Sequence, residues 1–308
     1  GIVGGYPDGT YLPATIVTRD QMAVFVARAF DYTWGGRVIG GVNVLVPGTD
    51  PARLDPMDDH YHGTMVAGVV ASMDATYRGV APGANLLAVK VLDSEGSGWS
   101  SDTIAGIQWC IQNQAAFNLK AINLSLGDGM EWTDPEVCDA QPEGIAISDA
   151  VDAGILVAVA SGNEYYTEGI SLPACASAAV SLGATNDGGP GGTPLDGVSD
   201  YCDRGELMTM YAPGTYITSA ALGGGSRTGA GTSFAAPHVA GAAAVLAQMG
   251  ITDPLAMRER LTQTGVQIID PTTNVASPRL DLAAALTAPP AGVDLVVDAV
   301  SSPAASAF

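Results

Sequence analysis

The sequence GTSFAAPHVAG, at residues 231–241, follows a glycine-rich run and continues into a series of alanines. It predicts a loop that delivers Ser233 to the start of a helix whose small side chains allow close packing against a sheet. Unpaired N–H groups and the helix dipole stabilise negative charge at such a position. Pro237 is expected in the first turn, where no N–H donor is needed. Ser233 is therefore a candidate nucleophile, although a serine that only caps a helix has the same context.

Three other segments place polar residues in similar contexts, and all three precede residue 231. They are HGTMVAG at residues 62–68, NLSLG at residues 123–127 and VASGN at residues 159–163. The four segments resemble, in order, the histidine, substrate-strand, oxyanion and nucleophile motifs of the subtilisin-like serine proteases. The resemblance extends over most of residues 31–286. It implies an α/β fold, a three-layer sandwich around a mostly parallel central sheet.

The resemblance also implies a role for each matched residue. Ser233 would be the nucleophile, His62 the general base and then acid, and the Asn163 side chain a donor to the oxyanion. Ser125, Leu126 and Gly127 would hydrogen-bond the backbone of an extended substrate. The implied activity is that of a serine endopeptidase that acts through an acyl-enzyme. It requires no cofactor, and its partner is a protein or peptide substrate.

The sequence departs from the family where the aspartate that orients the histidine should stand. The family carries it in an Asp-Thr-Gly or Asp-Ser-Gly sequence after a core strand, and neither occurs before His62. Residues 23–30, AVFVARAF, stand there instead, and Asp31 is the nearest acid. Tyr61 also replaces the glycine that usually precedes the histidine. The alternative function is therefore a catalytically impaired relative that binds peptides or attaches to a cell wall.

Residues 1–30 form a separate segment, of which residues 2–10 and 17–22 resemble the second half of an S-layer homology motif. Such motifs attach proteins to cell-wall polymers, so wall polymer is a second expected partner. Helical spacing after a capping box at Thr18–Gln21 predicts a helix over residues 19–30. Residues 22–27 are also apolar enough to form the missing core strand. The sequence therefore leaves open whether this segment is a helix or a strand.

Strands and helices alternate through residues 31–286, with short apolar runs typical of a parallel sheet covered on both faces. A turn and a strand are predicted over residues 35–44, and further strands over residues 86–91, 121–126, 155–160 and 179–184. Helices are predicted near residues 102–113, 143–153 and 254–264. A proline-rich linker follows at residues 287–293. Residues 294–308 resemble the first strand of a β-sandwich adhesion-type repeat, so both ends of the chain look like cuts in a longer precursor.

The chain of 308 residues has a formal net charge of −20, which disfavours nucleic acid and anionic lipid as partners. An extracellular or cell-surface location is expected, and no apolar run is long enough to predict a membrane span. Calcium is a plausible structural ion near residues 50–59 or 186–203, without a spacing that specifies a site. Among the four cysteines, Cys175 and Cys202 flank one loop and are the expected disulfide, whereas Cys110–Cys138 is disfavoured.

Overall fold

The structure is a computed structural model that describes residues 23–26, 37–46, 55–188 and 194–288. The strands are β1 (Ala23–Val26), β2 (Val38–Asn43), β3 (Asn85–Lys90), β4 (Leu119–Leu124), β5 (Leu156–Ala160), β6 (Val180–Asn186), β7 (Met210–Thr215), β8 (Ile217–Ala220), β9 (Ser226–Gly229), β10 (Val266–Ile269) and β11 (Ala276–Arg279). The helices are α1 (His62–Ala71), α2 (Ser100–Phe117), α3 (Pro135–Asp139), α4 (Pro142–Asp152), α5 (Thr232–Gln248), α6 (Pro254–Thr264) and α7 (Leu282–Thr287). The predicted strands and helices after residue 37 are confirmed within a few residues.

Within the described residues, nine strands in the order β10-β11-β7-β6-β5-β4-β1-β3-β2 form the sheet of the middle layer. Its strands pair in parallel except for β10 and β11, which form an antiparallel pair at one edge. Strands β8 and β9 form a separate antiparallel ribbon that leads into α5. The mostly parallel three-layer α/β sandwich expected from the sequence is confirmed.

Helices cover both faces of this sheet, and the side chains of each strand alternate between two apolar cores. In β3, Leu86 and Ala88 belong to the core that includes residues of α1, α5, α6 and α7, whereas Leu87 and Val89 belong to the core that includes residues of α2, α3 and α4. Alanine and glycine along α5 bring its backbone close to the sheet, since Ala235, Ala236 and Ala240 are fully buried. The first of these cores therefore lies directly under the helix that carries Ser233.

Strand β1 settles the question that the sequence left open about the N-terminal segment. Ala23–Val26 lies between β3 and β4, parallel to both, so the helix predicted over residues 19–30 is wrong for these four residues. Without β1, the facing N–H and C=O groups of β3 and β4 would be buried without partners, which costs more than the helical periodicity gains. Residues 23–26, which directly follow the S-layer-like stretch, thus supply a central strand of the sheet.

The disulfide predicted between Cys175 and Cys202 is wrong, because Cys175 is bonded to Cys138 across a Cα–Cα distance of 5.9 Å. The sheet itself explains the error. Cys175 belongs to the core on the α2–α4 side, whereas Cys202 lies in the core on the α5 side and hydrogen-bonds the backbone of Ala184. Cys110 and Cys202 are buried free thiols.

Candidate active site

The first turn of α5 lies at the carboxyl edge of the parallel sheet, where β4 and β5 end. Gly231 precedes the helix with φ 152°, and a Cβ there would lie 3.6 Å from Oδ1 of Asn163. Ser233, the second residue of α5, is half-buried, so part of the residue is accessible to solvent. At a helix N-terminus, the first N–H groups have no carbonyl acceptor within the helix. This turn is suited to stabilise an anion beside Ser233.

Asn163 reaches the same turn from the loop after β5. Its Oδ1 accepts hydrogen bonds from the N–H of Thr232 at 2.9 Å and from the Thr232 hydroxyl at 3.1 Å. Both contacts consume the oxygen of the amide, which leaves its NH₂ group as the donor. Within the described part of the chain no acceptor takes up that NH₂ group, and Asn163 is exposed. An oxyanion near Ser233 could therefore be bonded by Asn163.

Ser125, at the end of β4, contacts the site through a carbonyl of α5 that Pro237 leaves without a helical donor. The chain has no N–H at Pro237, so the carbonyl of Ser233 lacks its helical donor four residues later. The Ser125 hydroxyl donates to that carbonyl instead, at 2.6 Å, and itself accepts from Nδ2 of Asn123 at 2.9 Å. Because α5 begins at Thr232, the expectation that Pro237 lies in the first turn is wrong. Its missing N–H frees the acceptor that ties α5 to β4.

Leu126 and Gly127 continue the β4 strand beyond the sheet. Leu126 is half-buried and Gly127 is exposed, and the residues that the structure describes offer no backbone hydrogen-bond partner to either. The chain then turns away, since Asp128 donates its N–H to the carbonyl of Leu172 at 3.0 Å. Leu126 and Gly127, which directly follow the Ser125 that contacts Ser233, therefore present backbone groups without partners among the described residues, as an edge that can accept another strand.

His62 is the first residue of α1, and its ring lies 5.9 Å from the ring of Phe234 between centroids. Phe234 follows Ser233 directly, so the imidazole lies next to the first turn of α5. Asp58 fixes the start of α1. Its buried carboxylate accepts the N–H groups of Tyr61 at 3.0 Å and of Thr64 at 2.8 Å, together with the Thr64 hydroxyl. The structure therefore brings His62, Ser125, Asn163 and Ser233 to one place.

Tyr61, which stands where the resemblance expects glycine, has φ 87° and ψ −29°. This left-handed conformation is one that glycine adopts without steric cost, which explains the family's preference. The Tyr61 ring stacks on His60 with centroids 4.5 Å apart, and the guanidinium of Arg227 lies 3.9 Å from its centre. The ribbon of β8 and β9 is thereby connected to the residue that precedes His62.

Asp31 lies outside the described residues, so its role as the orienting acid stays a prediction. Among the residues that are described, no group of three or more His, Cys, Asp or Glu side chains is arranged to hold a metal ion. Several acids of the two expected calcium segments have internal partners. Asp59 pairs with Lys90 at 2.5 Å and Asp196 with Arg279 at 3.2 Å.

Two acids that no sequence motif indicated also lie at this site. Asp58 caps α1, and Asp203 lies beneath the turn that carries Asn163. The only signal for Asp58 was its position four residues before His62, and no sequence pattern marked Asp203. Buried acceptors of this kind are recognised from the donors around them, which come together only in the folded chain.

Comparisons with known proteins show which families this chain resembles. Residues 46–282 match the Subtilase family and residues 1–23 match the S-layer homology domain. Subtilisin-like protease 4 of Trichophyton equinum and subtilisin-like protease 3 of Arthroderma benhamiae are each 39% identical over 225 residues, which cover 72% of this chain and 52% of theirs. The chain therefore spans about half the length of these curated relatives.

A solved structure shares the fold as well. The crystal structure of a cold adapted subtilisin-like serine proteinase superposes with a TM-score of 0.71 at 28% identity, covering 84% of this chain and 87% of the other. Across the described residues, no helix is both long and apolar enough to cross a membrane. The β-sandwich repeat expected from residue 294 lies outside the described residues and the matched families, and stays a prediction.

Proposed function

This chain belongs to the subtilase family, and we propose that it is a serine endopeptidase in which Ser233 is the nucleophile and His62 the general base. The observation that carries the proposal is the arrangement around the first turn of α5. There Asn163 bonds the backbone of Thr232, Ser125 bonds the carbonyl of Ser233, and the His62 ring lies beside Phe234. Three separate segments thus meet around one serine.

In the proposed reaction, Oγ of Ser233 attacks the carbonyl carbon of the scissile peptide bond while His62 accepts the hydroxyl proton. The tetrahedral oxyanion is bonded by the Asn163 NH₂ group and the N–H of Ser233. His62 then gives its proton to the leaving amine, the C–N bond breaks, and an acyl-enzyme remains. His62 then removes a proton from a water molecule, which attacks the carbonyl carbon of the acyl-enzyme. The bond from this carbon to Oγ of Ser233 breaks, Ser233 regains its proton from His62, and the second product leaves.

Substrate binding is proposed along the segment Ser125–Gly127. An extended peptide would add to this edge as a strand, since the backbone groups of Leu126 and Gly127 have no described partner. A peptide added in this way would bring one of its carbonyl groups between Ser233 and Asn163. It supports protein and peptide chains as the substrate class.

The orienting acid is the open part of the catalytic proposal. Strand β1 occupies the place of the strand that carries this aspartate in relatives, and Asp31 follows its last residue by five positions. We assign the orienting role to Asp31. Its replacement in Asp31→Asn should lower kcat by roughly 10⁴-fold, the loss known from serine proteases that lack this acid. Unchanged kcat in that variant would leave the impaired, peptide-binding relative as the better description.

Active-site labelling with a fluorophosphonate tests the function directly. The wild-type chain should label at Ser233, and Ser233→Ala should not label. Asn163→Ala should still label but should cleave a peptide substrate with a kcat lower by roughly 10²–10³-fold, the range found for loss of one such donor in subtilisin. Absence of labelling in a folded wild-type chain would overturn the endopeptidase assignment and favour peptide binding alone.

An extracellular or cell-surface location with attachment to wall polymer is proposed from the match of residues 1–23 to the S-layer homology domain. Because β1 begins at Ala23, the test is deletion of residues 1–22, which keeps this strand in the sheet. Sedimentation with purified cell walls should fall in the deleted chain while fluorophosphonate labelling is unchanged. Equal sedimentation of both chains would contradict attachment through this segment. A structural calcium ion stays an additional proposal, to be tested by the effect of chelation on Tm.

A further inference from the structure

Asp203 is a fully buried acid that lies against the turn carrying Asn163. One carboxyl oxygen accepts the N–H groups of Glu164 at 2.8 Å and Tyr166 at 3.1 Å, and the other accepts the Ser171 hydroxyl at 3.3 Å. The N–H of Asp203 donates to the carbonyl of Gly162 at 3.1 Å. Asp203 therefore contacts the turn on both sides of Asn163.

The fit at this turn is tight. Gly162 has φ 116°, and a Cβ at this position would overlap the Asp203 carboxyl and crowd the hydroxyl of Ser171. Glu164, which is exposed, accepts the N–H of Asn163 at 2.7 Å. The backbone of Asn163 is thus bonded by Glu164, and the backbone of Glu164 is bonded by Asp203.

Burial raises the pKa of Asp203 to about 7, and the neighbouring Glu164 carboxyl adds to this effect. The N–H groups of Tyr166 and Glu164 lower the pKa, but by less. Other titratable groups nearby are the buried Cys202 thiol and the guanidinium of Arg204. Arg204 is directed to Asp270 and to the carbonyls of Ser199, Asp200 and Cys202. No described cation therefore pairs with Asp203, and its carboxyl group is held by the N–H and hydroxyl donors of the surrounding turn.

We propose that Asp203 is a positioning residue for the oxyanion donor, holding the turn of residues 162–166 so that the Asn163 NH₂ group faces the carbonyl of the substrate. The inference rests on the proposed function, since it assigns Asn163 its role. Asp203 acts through the backbone and touches neither substrate nor nucleophile. A change in the charge of Asp203 changes its interaction with the donors of this turn and with Glu164, and thereby the position of Asn163.

The first test is Asp203→Asn, which keeps the size of the side chain but presents NH₂ to a donor. Kcat should fall about tenfold with KM changed less than twofold, because the oxyanion forms only after substrate has bound. Asn163→Ala should cost much less in the Asp203→Asn chain than in the wild type, since both changes remove the same interaction. Asp200→Asn, which removes the same charge from an exposed neighbour, is the matched control and should change neither constant.

The second test does not depend on activity. In ¹H–¹⁵N spectra, the Asn163 side-chain NH₂ signals should shift with pH, with a midpoint near 7 in the wild type. Glu164→Gln should lower that midpoint, because the repelling carboxylate is gone, and Asp203→Asn should abolish the titration. Signals of Asn163 that are independent of pH in the wild type would overturn the inference.

These tests distinguish failure of the endopeptidase function from failure of the positioning role of Asp203. A wild-type chain that does not label at Ser233 refutes the endopeptidase function, while the NH₂ titration still decides whether Asp203 holds the turn. A chain that labels and cleaves, but whose kcat is unaffected by Asp203→Asn, refutes the positioning role alone. If Asp203→Asn does not fold, the titration of the Asn163 NH₂ signals in Glu164→Gln tests the positioning role instead. An unchanged midpoint in that variant would contradict it.

Discussion

Tyr61 combines an unfavourable backbone conformation with favourable ring contacts. A non-glycine residue at φ 87° costs about 1 kcal/mol or more relative to glycine, because its Cβ approaches the backbone. Against this, the ring stacks on His60 and lies under the guanidinium of Arg227, and a cation–π contact at such a site contributes about 0.5–1 kcal/mol. The two effects have similar size, which explains how the chain retains tyrosine next to His62.

Comparison of Tyr61→Gly with Tyr61→Ala isolates the backbone cost. Both changes remove the ring, its stack on His60 and its contact with Arg227, so they differ only in the Cβ. We expect Tyr61→Gly to be more stable than Tyr61→Ala by about 1 kcal/mol in urea unfolding. Equal stability, or greater stability of the alanine variant, would show that this position is not held at positive φ.

His238 should make the protein sensitive to acid. It is buried in α5, with Nδ1 2.8 Å from the carbonyl of Phe234, and burial lowers its pKa to about 4. The unfolded chain takes up a proton at this histidine below about pH 6.5, and the folded chain does not until about pH 4. Its contribution to stability is therefore complete above pH 6.5 and is lost as pH falls to about 4.

Unfolding free energies measured at several pH values test this expectation. The wild type should lose up to about 3 kcal/mol from His238 between pH 6.5 and 4, in addition to the losses from carboxyl groups. The free energy of unfolding of His238→Gln should depend less on pH over this interval. For each protein it is expressed relative to its value at pH 7.5, which removes any constant difference in stability. Parallel curves for the two proteins would contradict the buried neutral histidine.

Among the elements, β1 shows how a segment with helical periodicity forms a strand. Its four residues are bonded to β3 on one side and to β4 on the other, so the strand is central although it is short. The helical alternative satisfies only local hydrogen bonds, whereas the strand also satisfies the buried edges of two neighbours. A strand that begins where the match to the S-layer homology domain ends is thus a central member of the sheet.

Proline at Phe25 should be strongly destabilising. Proline cannot donate a hydrogen bond to a neighbouring strand, and a central strand has a neighbour on each side. We expect Phe25→Pro to lower stability by about 3 kcal/mol or more, or to prevent folding. Phe25→Ile, which keeps the N–H and an apolar side chain, is the matched control and should fold. A Phe25→Pro chain with the Tm of this control would show that Ala23–Val26 is not in the sheet.

At the scale of the whole molecule, the sheet separates two cores and thereby decides which cysteines can meet. Cys138 follows β4 in α3, and Cys175 lies in the loop before β6, so their bond joins two connections on the same face. It closes a loop with a sequence separation of 37 residues, for which chain entropy suggests a stabilisation of about 2–4 kcal/mol. Cys202, on the other face, is out of reach.

Peptide mapping without reduction should find Cys138 linked to Cys175. Replacement of both by alanine should lower the free energy of unfolding by about 2–4 kcal/mol. Cys202→Ala should leave the mapped bond intact, and Cys110 and Cys202 should react with iodoacetamide only after unfolding, since both are buried. A map that links Cys175 to Cys202 would refute the arrangement of these loops on the sheet.

Much of the fold could be predicted from the sequence, because alternating apolar strands and helices leave few ways to bury both faces of a parallel sheet. The candidate residues His62, Ser125, Asn163 and Ser233 were also identified from motifs whose residue types and spacing are local properties. The helix predicted over residues 19–30 failed over β1, where the same local reasoning misled.

The sequence alone therefore determined the fold class, the candidate nucleophile, base and oxyanion donor, and the family resemblance that unites them. Only the tertiary structure decided that residues 23–26 are a strand, that Cys138 rather than Cys202 pairs with Cys175, and that Asp203 lies beneath Asn163. The physical reason is the same in each case. Strand partners, the face of a sheet and the donors around a buried carboxyl come from distant parts of the chain, and local periodicity does not contain them.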